Sequence, residues 1–317
     1  MGFIGCTLEI VGAIALLCVA FKVAGLVIRH LLSSPGAAIR KLINKNKWAM
    51  VTGVTGGIGK GFAEDIAKRG GNVVLVARNE QKLNQLANDL KKDYGVQTRI
   101  VVIDFNESPE NLEKAYDNLK KSISDISISV LINNVGVNTY LPDKYLDMKA
   151  SDVNWMVHVN INSLLNVSRV VMERMVEQPD QKHLIVNLSS YTAKAPCPHM
   201  AVYSATKAFI AAFSSALRYE YPNIDVRTIT PMYVASAMTN ISEEKAKKRM
   251  DVCTPRQLAQ QTFAQVGSMF TQTVFNPYWH HDLMTTVITL LPEWFVASKA
   301  TQQMKHVKKR LLAKQQQ

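Results

Sequence analysis

Cysteine is scarce in this sequence, and no two cysteines have the spacing of a metal or redox motif. The 317 residues include four cysteines, at positions 6, 18, 197 and 253, and no C-x-x-C pair. A disulfide framework and a zinc site are therefore not indicated, and we predict no bound metal. Internal repeats are also lacking, and glycine and proline are too few for a collagen-like or low-complexity chain.

Two segments of the chain, one near each end, contain basic residues and no acidic ones, and they account for most of the formal net charge of +12. Residues 29–47 hold five lysines and arginines and no acidic residue, and residues 299–317 hold six and no acidic residue. Residues 48–298 are close to neutral. Because the positive charge lies in the flanks and no motif combines basic with aromatic residues, it indicates an anionic membrane surface rather than nucleic acid.

A long apolar run lies near the N-terminus. Residues 10–28 are apolar except for Lys22, and about 20 residues are needed to cross a bilayer. A cleaved signal peptide is the alternative, but positive charges follow the run and none precedes it. By the positive-inside rule we predict a membrane anchor at residues 1–31, a basic linker at 32–47 and a body on the cytosolic side.

From residue 48 onward, short apolar strands alternate with helical patterns. The predicted strands are residues 49–51, 73–77, 99–103, 129–132, 184–188 and 226–229. Their apolar residues are continuous rather than alternating, which is typical of a parallel sheet covered on both faces. We therefore predict one α/β domain with a doubly wound, Rossmann-like sheet over residues 48–298, followed by a basic tail at 299–317.

A second apolar stretch, residues 283–296, is interrupted by Pro292 and Glu293. It is short for a membrane span. Three interpretations stay open: a further span, a helix lying on the membrane, or a wall of the substrate pocket.

A glycine-rich loop follows the first predicted strand in the sequence TGVTGGIG, residues 52–59. Such a loop between a strand and a helix allows close approach of the backbone to a pyrophosphate and directs a helix N-terminus at it. An ordinary glycine turn is the alternative, which the position between strand and helix disfavours. The predicted cofactor contacts in the loop are Gly53, Thr55, Gly57, Ile58 and Gly59.

The residue after the second predicted strand indicates which cofactor binds. NAD sites usually place an acidic residue there, which contacts the ribose 2′-hydroxyl group. This chain has Arg78 instead, and an arginine can pair with a 2′-phosphate. Lys60 adds a second positive charge after the glycine loop. We predict NADP(H) as the cofactor, with a solvated surface arginine as the alternative.

Tyr203 and Lys207 stand four residues apart in YSATK, which puts both on one face of a helix. Hydride transfer to a carbonyl needs a proton donor at the developing alkoxide, and a tyrosine beside an ammonium group can serve. Ser190 follows a predicted strand, where it can bond the substrate oxygen. Asn160 lies in a helical pattern before that strand, where it can hold a water for proton relay from Lys207. The alternative for the Tyr–Lys motif alone is a surface pair.

Together these motifs resemble the short-chain dehydrogenase/reductase family. The likeness rests on TGVTGGIG, NNVG at residues 133–136, YSATK, and the single residues Asn160 and Ser190, and it extends from residue 48 to about 275. It implies a catalytic tetrad of Asn160, Ser190, Tyr203 and Lys207. In that tetrad Tyr203 is the acid–base group, Lys207 binds the nicotinamide ribose and lowers the tyrosine pKa, and Ser190 polarises the carbonyl.

The resemblance also implies three further cofactor contacts. Asp104 corresponds to the family's adenine-contacting acid, and Asn133 to an asparagine that braces the sheet and lines the cofactor site. Ser236 stands where the family usually has a threonine that contacts the carboxamide. Many members have Pro-Gly where this chain has Pro231 and Met232.

Several phrases and the apolar leader are similar to one branch, the 17β-hydroxysteroid dehydrogenase type 12 / very-long-chain 3-oxoacyl-CoA reductase group. That likeness implies a lipid-like substrate, either a long-chain acyl-CoA or a steroid, and an endoplasmic reticulum membrane protein with a cytosolic catalytic domain. The dilysine signal of some relatives is missing. The family also implies a homo-oligomer as a possibility.

Two other interpretations stay open, one of a different functional class and one of a different topology. One is a non-catalytic membrane scaffold that retains the fold, which the presence of all four tetrad residue types disfavours. The other is a lumenal enzyme of reversed topology, which glycosylation at Asn106, Asn166, Asn187 or Asn240 would support.

Overall fold

A parallel β-sheet forms the centre of the computed structural model, which describes residues 2–31, 37–266 and 271–315. The strands are β1 Trp48–Thr52, β2 Asn72–Ala77, β3 Thr98–Val102, β4 Ile128–Asn133, β5 His183–Leu188, β6 Ile224–Ile229, β7 Tyr233–Val234, β8 Val252–Cys253 and β9 Val274–Phe275. Within the described residues, seven strands form one sheet in the order β3-β2-β1-β4-β5-β6-β9, while β7 pairs with β8. Every pairing in the larger sheet is parallel. The predicted α/β fold class is confirmed.

Helices cover both faces of this sheet. The α-helices of the described residues are α1 Gly2–Leu31, α2 Ala37–Leu42, α3 Gly57–Lys68, α4 Glu80–Tyr94, α5 Pro109–Ser122, α6 Ala150–Val157, α7 Ser163–Val176, α8 Ala201–Glu220, α9 Glu243–Lys247, α10 Pro255–Gln265, α11 Trp279–Leu290 and α12 Glu293–Gln315. Helices α3, α4 and α10 contribute to the core on one face. Helices α5, α7 and α8 contribute to the core on the other face.

The strands are apolar along their whole length because successive side chains enter different cores. In β2, Val73 and Leu75 pack into the core with α3 and α4, whereas Val74 and Val76 pack into the core with α5 and α7. Side chains alternate between the two faces of a strand, so a strand covered on both sides is apolar at every position.

The strand order places a crevice beside β1. The chain runs from β1 outward to β2 and β3, then returns to add β4, β5 and β6 on the other side of β1. Ligands of doubly wound sheets bind at the carboxyl ends of the strands where the order reverses. The carboxyl ends of β1 and β4 therefore mark the expected site.

At the N-terminus, α1 contains one stretch, Gly12–Leu31, that is long and apolar enough to cross a membrane by its length and composition. The predicted anchor at residues 1–31 coincides with this helix. Its last turn contacts the start of α11, where Arg29 Nη2 lies 2.6 Å from Asp282 Oδ2. At the other end, α12 continues across the predicted boundary between residues 298 and 299.

Gly61 lies where α3 packs against α10, and this contact leaves no room for a side chain. A Cβ atom at Gly61 would lie 2.6 Å from the carbonyl carbon of Pro255. We predict that Gly61→Ala pushes the helices apart and lowers the free energy of unfolding by about 1–3 kcal/mol, the usual range for overpacking. Thermal unfolding in detergent without cofactor measures the change. The control is Gly56→Ala, whose added Cβ would have no atom within 4 Å, and equal stability of the two variants would contradict the prediction.

Candidate active site

The glycine-rich loop connects β1 to α3 at the predicted crevice. Gly53 and Gly57 have φ values of +64° and +53°, in the left-handed region that favours glycine. A Cβ atom on Gly59 would lie 2.5 Å from the carbonyl oxygen of Gly53. These glycines therefore let the loop fold tightly against the start of α3, with its backbone exposed to the cleft.

The start of α3 has the features of an anion-binding site. Its N-cap residue, Gly56, makes no side-chain capping bond, so the first amide groups of the helix are left without a side-chain partner from the cap. Positive charge from the helix dipole adds to these amides. The predicted residues that line the cleft in front of them are Gly53, Thr55, Gly57, Ile58, Arg78, Asp104, Tyr203, Lys207 and Ser236.

Arg78 and Asp104 face each other at the ends of β2 and β3. Their closest atoms, Arg78 Nη1 and Asp104 Oδ2, are 3.9 Å apart, and 74% of the Arg78 side chain is exposed. A contact of this length in solvent contributes little to stability. The guanidinium group is therefore available to an anionic ligand. Lys60 lies on α3 with its Nζ 3.7 Å from Glu64.

Tyr203 and Lys207 lie on the same face of α8, and both are buried at the cleft. Lys207 Nζ lies 5.7 Å from the centroid of the Tyr203 ring and donates a hydrogen bond of 3.0 Å to the carbonyl of Leu188. The predicted helical pairing of the two side chains is present.

Burial shifts the pKa of both groups. It lowers the pKa of Lys207 to about 8 and raises that of Tyr203 to about 12, although a hydrogen bond with Ser190 works in the opposite direction. Among the contributions to the Tyr203 pKa, burial is the largest. The lowering of the Tyr203 pKa by Lys207 that the resemblance implies stays a prediction.

Asn160 lies in a π-helical turn, His158–Asn162, between α6 and α7. Its Oδ1 accepts a hydrogen bond of 2.6 Å from the backbone of Val137, and its Nδ2 donates to the Val137 carbonyl and to Thr206 Oγ1, each at 3.0 Å. The side chain thus connects the loop after β4 to α8, one residue before Lys207. The helical pattern was predicted, but the π-turn was not, although such turns occur often at functional sites.

Ser189 and Ser190 follow β5, and their hydroxyl groups bind different parts of α8. Ser190 Oγ accepts a hydrogen bond of 3.2 Å from the amide of Thr192 and interacts with the Tyr203 phenol. Ser189 Oγ donates a hydrogen bond of 2.6 Å to the carbonyl of Lys207. Ser190 therefore lies beside the tyrosine, whereas Ser189 fixes the helix that carries it.

Asn133 and its neighbour Asn134 divide the two roles that the resemblance implies for Asn133. The Asn133 side chain points into the sheet and donates to Ser168 Oγ at 2.9 Å and to Asn187 Oδ1 at 2.8 Å. Asn134 lines the cleft and donates to the carbonyls of Thr52 and Gly53 at 2.9 and 3.0 Å. Successive side chains at a strand end point in opposite directions, so only one of them reaches the cleft.

Sequence reasoning missed several residues that support the site. They are Thr52, Asn134, Ser189 and Thr206. The first three flank predicted residues at strand ends, and Thr206 is the fourth residue of YSATK. Their position next to the predicted residues is the only sign in the sequence that they belong to the site. Their hydrogen bonds join segments that are far apart in the chain, so the sequence does not predict them.

Ser236 lies opposite the glycine loop, after β7. A Cβ atom on Gly57 would lie 3.2 Å from Ser236 Cβ. Thr239, which sequence reasoning did not single out, lies 3.3 Å away through its Oγ1 and donates a hydrogen bond of 2.6 Å to the carbonyl of Val234. The loop that carries Ser236 is thus folded back on itself at the edge of the cleft.

Comparison with known proteins identifies the family of this chain. The family model described as short chain dehydrogenase matches residues 47–247 of this chain. The chain belongs to the short-chain dehydrogenase family. The resemblance inferred from its motifs is thereby confirmed, and with it the assignment as an oxidoreductase.

The chain is similar to named reductases and dehydrogenases of this family. The very-long-chain 3-oxoacyl-CoA reductase of Anas platyrhynchos is 35% identical over 271 residues, which are 84% of this chain and 83% of that protein. Hydroxysteroid dehydrogenase-like protein 1 of Gallus gallus is 35% identical over 254 residues, 79% of this chain and 74% of its own length. The solved short-chain dehydrogenase from Sphingobium yanoikuyae in complex with NADPH has 27% identity and a TM-score of 0.64, covering 76% of this chain and 92% of that one.

The buried amine of Lys207 predicts a pH dependence of stability. Its pKa falls from 10.5 in the unfolded chain to about 8 in the folded chain, so between these values the unfolded chain binds more protons. The contribution of Lys207 to stability therefore rises with pH across this window, by about 3 kcal/mol in all. We predict that Lys207→Met removes this rise.

Unfolding by denaturant between about pH 7 and pH 10 measures this effect. Burial raises the pKa values of Tyr203 and Cys253, and these groups act in the opposite direction at alkaline pH. The quantity to compare is therefore the difference between the wild-type chain and the variant at each pH. A constant difference would contradict the prediction.

Proposed function

We propose that this protein is an NADPH-dependent reductase that converts a very-long-chain 3-oxoacyl-CoA to the 3-hydroxyacyl-CoA during fatty-acid elongation. The observation that carries the chemistry is the buried Tyr203–Lys207 pair, which lines an open cleft, with Ser190 hydrogen-bonded to the Tyr203 phenol. The substrate class is supported by similarity to the reductase of that name from Anas platyrhynchos, which extends over 84% of this chain.

The residues around the cleft fit a phosphorylated dinucleotide. The uncapped amides at the start of α3 would hold its pyrophosphate, and the exposed Arg78 would pair with its 2′-phosphate. Asp104 would contact the adenine, while Lys207 and Ser236 would hold the nicotinamide half. NADPH bound in this way supplies the hydride.

The chain supplies the proton and orients the substrate. Because burial raises its pKa to about 12, the Tyr203 phenol is protonated at neutral pH and can donate to the oxygen of the reacting ketone. The Ser190 hydroxyl would hydrogen-bond the same oxygen. The Lys207 ammonium would stabilise the phenolate that remains. Asn160, held by three hydrogen bonds, would support the proton relay from Lys207.

The setting we propose is the endoplasmic reticulum membrane, with the catalytic domain on its cytosolic side. The support is the apolar stretch Gly12–Leu31 in α1 and the basic residues that follow it. A homo-oligomer through the surface of α8 is part of the same proposal, supported by the partly exposed Phe209 on that helix.

A second candidate substrate is a steroid ketone or alcohol. It is favoured by the 35% identity to hydroxysteroid dehydrogenase-like protein 1 of Gallus gallus. The cofactor and the proton donor would be the same, so substrate comparison separates the two candidates.

We predict that Tyr203→Phe reduces the turnover of a long-chain 3-oxoacyl-CoA by about 10²–10⁴-fold, the usual contribution of a positioned acid. NADPH binding should persist, because the variant loses only the hydroxyl group. The measurement follows NADPH oxidation by the detergent-solubilised full chain, with estrone as the competing substrate.

Tyr219→Phe is the matched control, because Tyr219 lies on the same helix with 82% exposure and should keep wild-type turnover. Activity on estrone alone would transfer the substrate assignment to steroids. Retained activity of the Tyr203→Phe variant would contradict the assignment of Tyr203 as the proton donor. A folded chain that does not bind NADPH would favour the scaffold interpretation.

Arg78 is expected to set the preference for NADPH over NADH. A charge-assisted hydrogen bond contributes about 1.5–3 kcal/mol, so Arg78→Leu should weaken NADPH binding by about 10–100-fold and leave NADH binding nearly unchanged. Titration with each cofactor measures the effect. Arg169→Leu removes an arginine whose side chain is 82% exposed on α7 and should change neither, whereas equal losses for both cofactors in Arg78→Leu would contradict the assignment.

A further inference from the structure

Two successive helices near the C-terminus, α11 and α12, are joined by a turn at Leu291 and Pro292 and expose several large apolar side chains around it. This segment comprises residues 283–295, that is, the last two turns of α11, Pro292 and the first residues of α12; we call it the apolar hairpin. Its exposed large side chains are Leu283, Met284, Val287, Leu290, Leu291, Trp294 and Phe295, with exposures between 36% and 73%. The hairpin contains no lysine or arginine and one acidic residue, Glu293. An apolar surface of this kind marks an interaction site.

A buried ionic contact fixes the base of the apolar hairpin to the end of α1. Asp282, just before the hairpin, accepts hydrogen bonds from Arg29 at 2.6 and 3.1 Å and lies 3.0 Å from His30 Nε2. His30 Nδ1 in turn lies 3.1 Å from Gln265 Nε2. Leu26, one turn earlier on α1, is buried, and α1 and α11 are in contact.

This contact places the apolar hairpin beside the helix that is long enough to span a bilayer. Arg29 and His30 end the apolar run of α1, so they belong at the level of the headgroups. Since Asp282 is bonded to both, the hairpin begins at that same level. We propose that the apolar hairpin inserts into the membrane interface next to α1 as a second, non-spanning membrane contact.

The tryptophans at both ends of the apolar hairpin and the basic residues that follow it favour lipid over a protein partner. Trp279 and Trp294 are 41% and 73% exposed, and tryptophan is enriched at the boundary between acyl chains and headgroups. Farther along α12, basic residues are exposed, namely Lys299, Lys305, Lys309 and Arg310. An apolar segment followed by a basic one is the pattern of an interfacial helix on anionic lipid.

The same helix connects the apolar hairpin to the loops on the substrate side of the sheet. Gln303 Nε2 donates a hydrogen bond of 2.6 Å to the hydroxyl of Tyr233, and Lys308 forms an ion pair with Asp143. Membrane insertion of the hairpin would therefore hold this side of the domain close to the bilayer. Delivery of a long-chain substrate from the membrane rests on the proposed function, whereas the membrane contact does not.

Tryptophan fluorescence in vesicles tests the insertion. The chain has four tryptophans, at positions 48, 155, 279 and 294, and replacing the first three with phenylalanine leaves Trp294 as the reporter. The full-length variant is reconstituted into phosphatidylcholine and phosphatidylserine vesicles with or without brominated acyl chains. We expect brominated chains to reduce its emission by about twofold or more, because interfacial helices bury their apolar face about 5–10 Å into this region.

The matched control carries Trp294→Phe and Tyr219→Trp in the same background, since Tyr219 is also highly exposed but lies at the end of α8. Its emission should not respond to bromination. If the triple substitution impairs folding, the single variant Trp294→Phe should show a smaller quenched fraction than the wild-type chain.

Co-flotation with the vesicles distinguishes a hairpin that does not insert from an α1 helix that does not anchor the protein. Neither co-flotation nor Trp294 quenching requires catalytic turnover. Protein that floats while Trp294 is not quenched would overturn the hairpin proposal and leave the anchor intact. Protein that does not float would overturn both. Protection of Trp294 from bromolipid and from aqueous iodide alike would assign the surface to a second copy or another protein, which also overturns the proposal.

Discussion

A buried network of amides and hydroxyls holds together the four elements on which the site is built. Asn133 in β4 donates to Ser168 in α7 and to Asn187 in β5, and Asn187 donates to Ser214 in α8. An unpaired amide in such an interior would be costly, whereas a satisfied network favours one arrangement of its strands and helices. The position of Tyr203 and Lys207 relative to β5 follows from this arrangement, because both lie on the helix that Ser214 anchors.

The same burial determines the acid–base properties of the site. Tyr203 and Lys207 are both enclosed by the core, and the enclosure favours the neutral form of each, so their pKa values move apart, to about 12 and about 8. For a reductase this is useful, because the tyrosine starts as a proton donor. The hydrogen bond from Lys207 to the Leu188 carbonyl keeps its ammonium group close to the tyrosine.

The first and last helices, α1 and α12, contact the catalytic domain through hydrogen bonds and ion pairs. Asp282 binds Arg29 and His30 of α1, and α12 reaches Tyr233 and Asp143 on the substrate side. An apolar helix, an apolar hairpin and the substrate loops therefore belong to one connected unit. In the membrane setting that we propose, such coupling would give the domain a defined orientation, which a flexible linker would not provide.

Local pattern in the sequence was enough for the fold class, the glycine loop and the Tyr203–Lys207 pair. Continuous apolar strands, glycines with positive φ and an i, i+4 spacing are all local consequences of backbone geometry. Only the tertiary structure decided that Asn134 rather than Asn133 reaches the cleft and that Asn160 lies in a π-turn bonded to Val137 and Thr206. It also decided that the apolar hairpin, residues 283–295, is exposed beside the end of α1. Each of these depends on contacts between segments far apart in the chain, and on the burial such contacts create, neither of which is encoded by spacing within one segment.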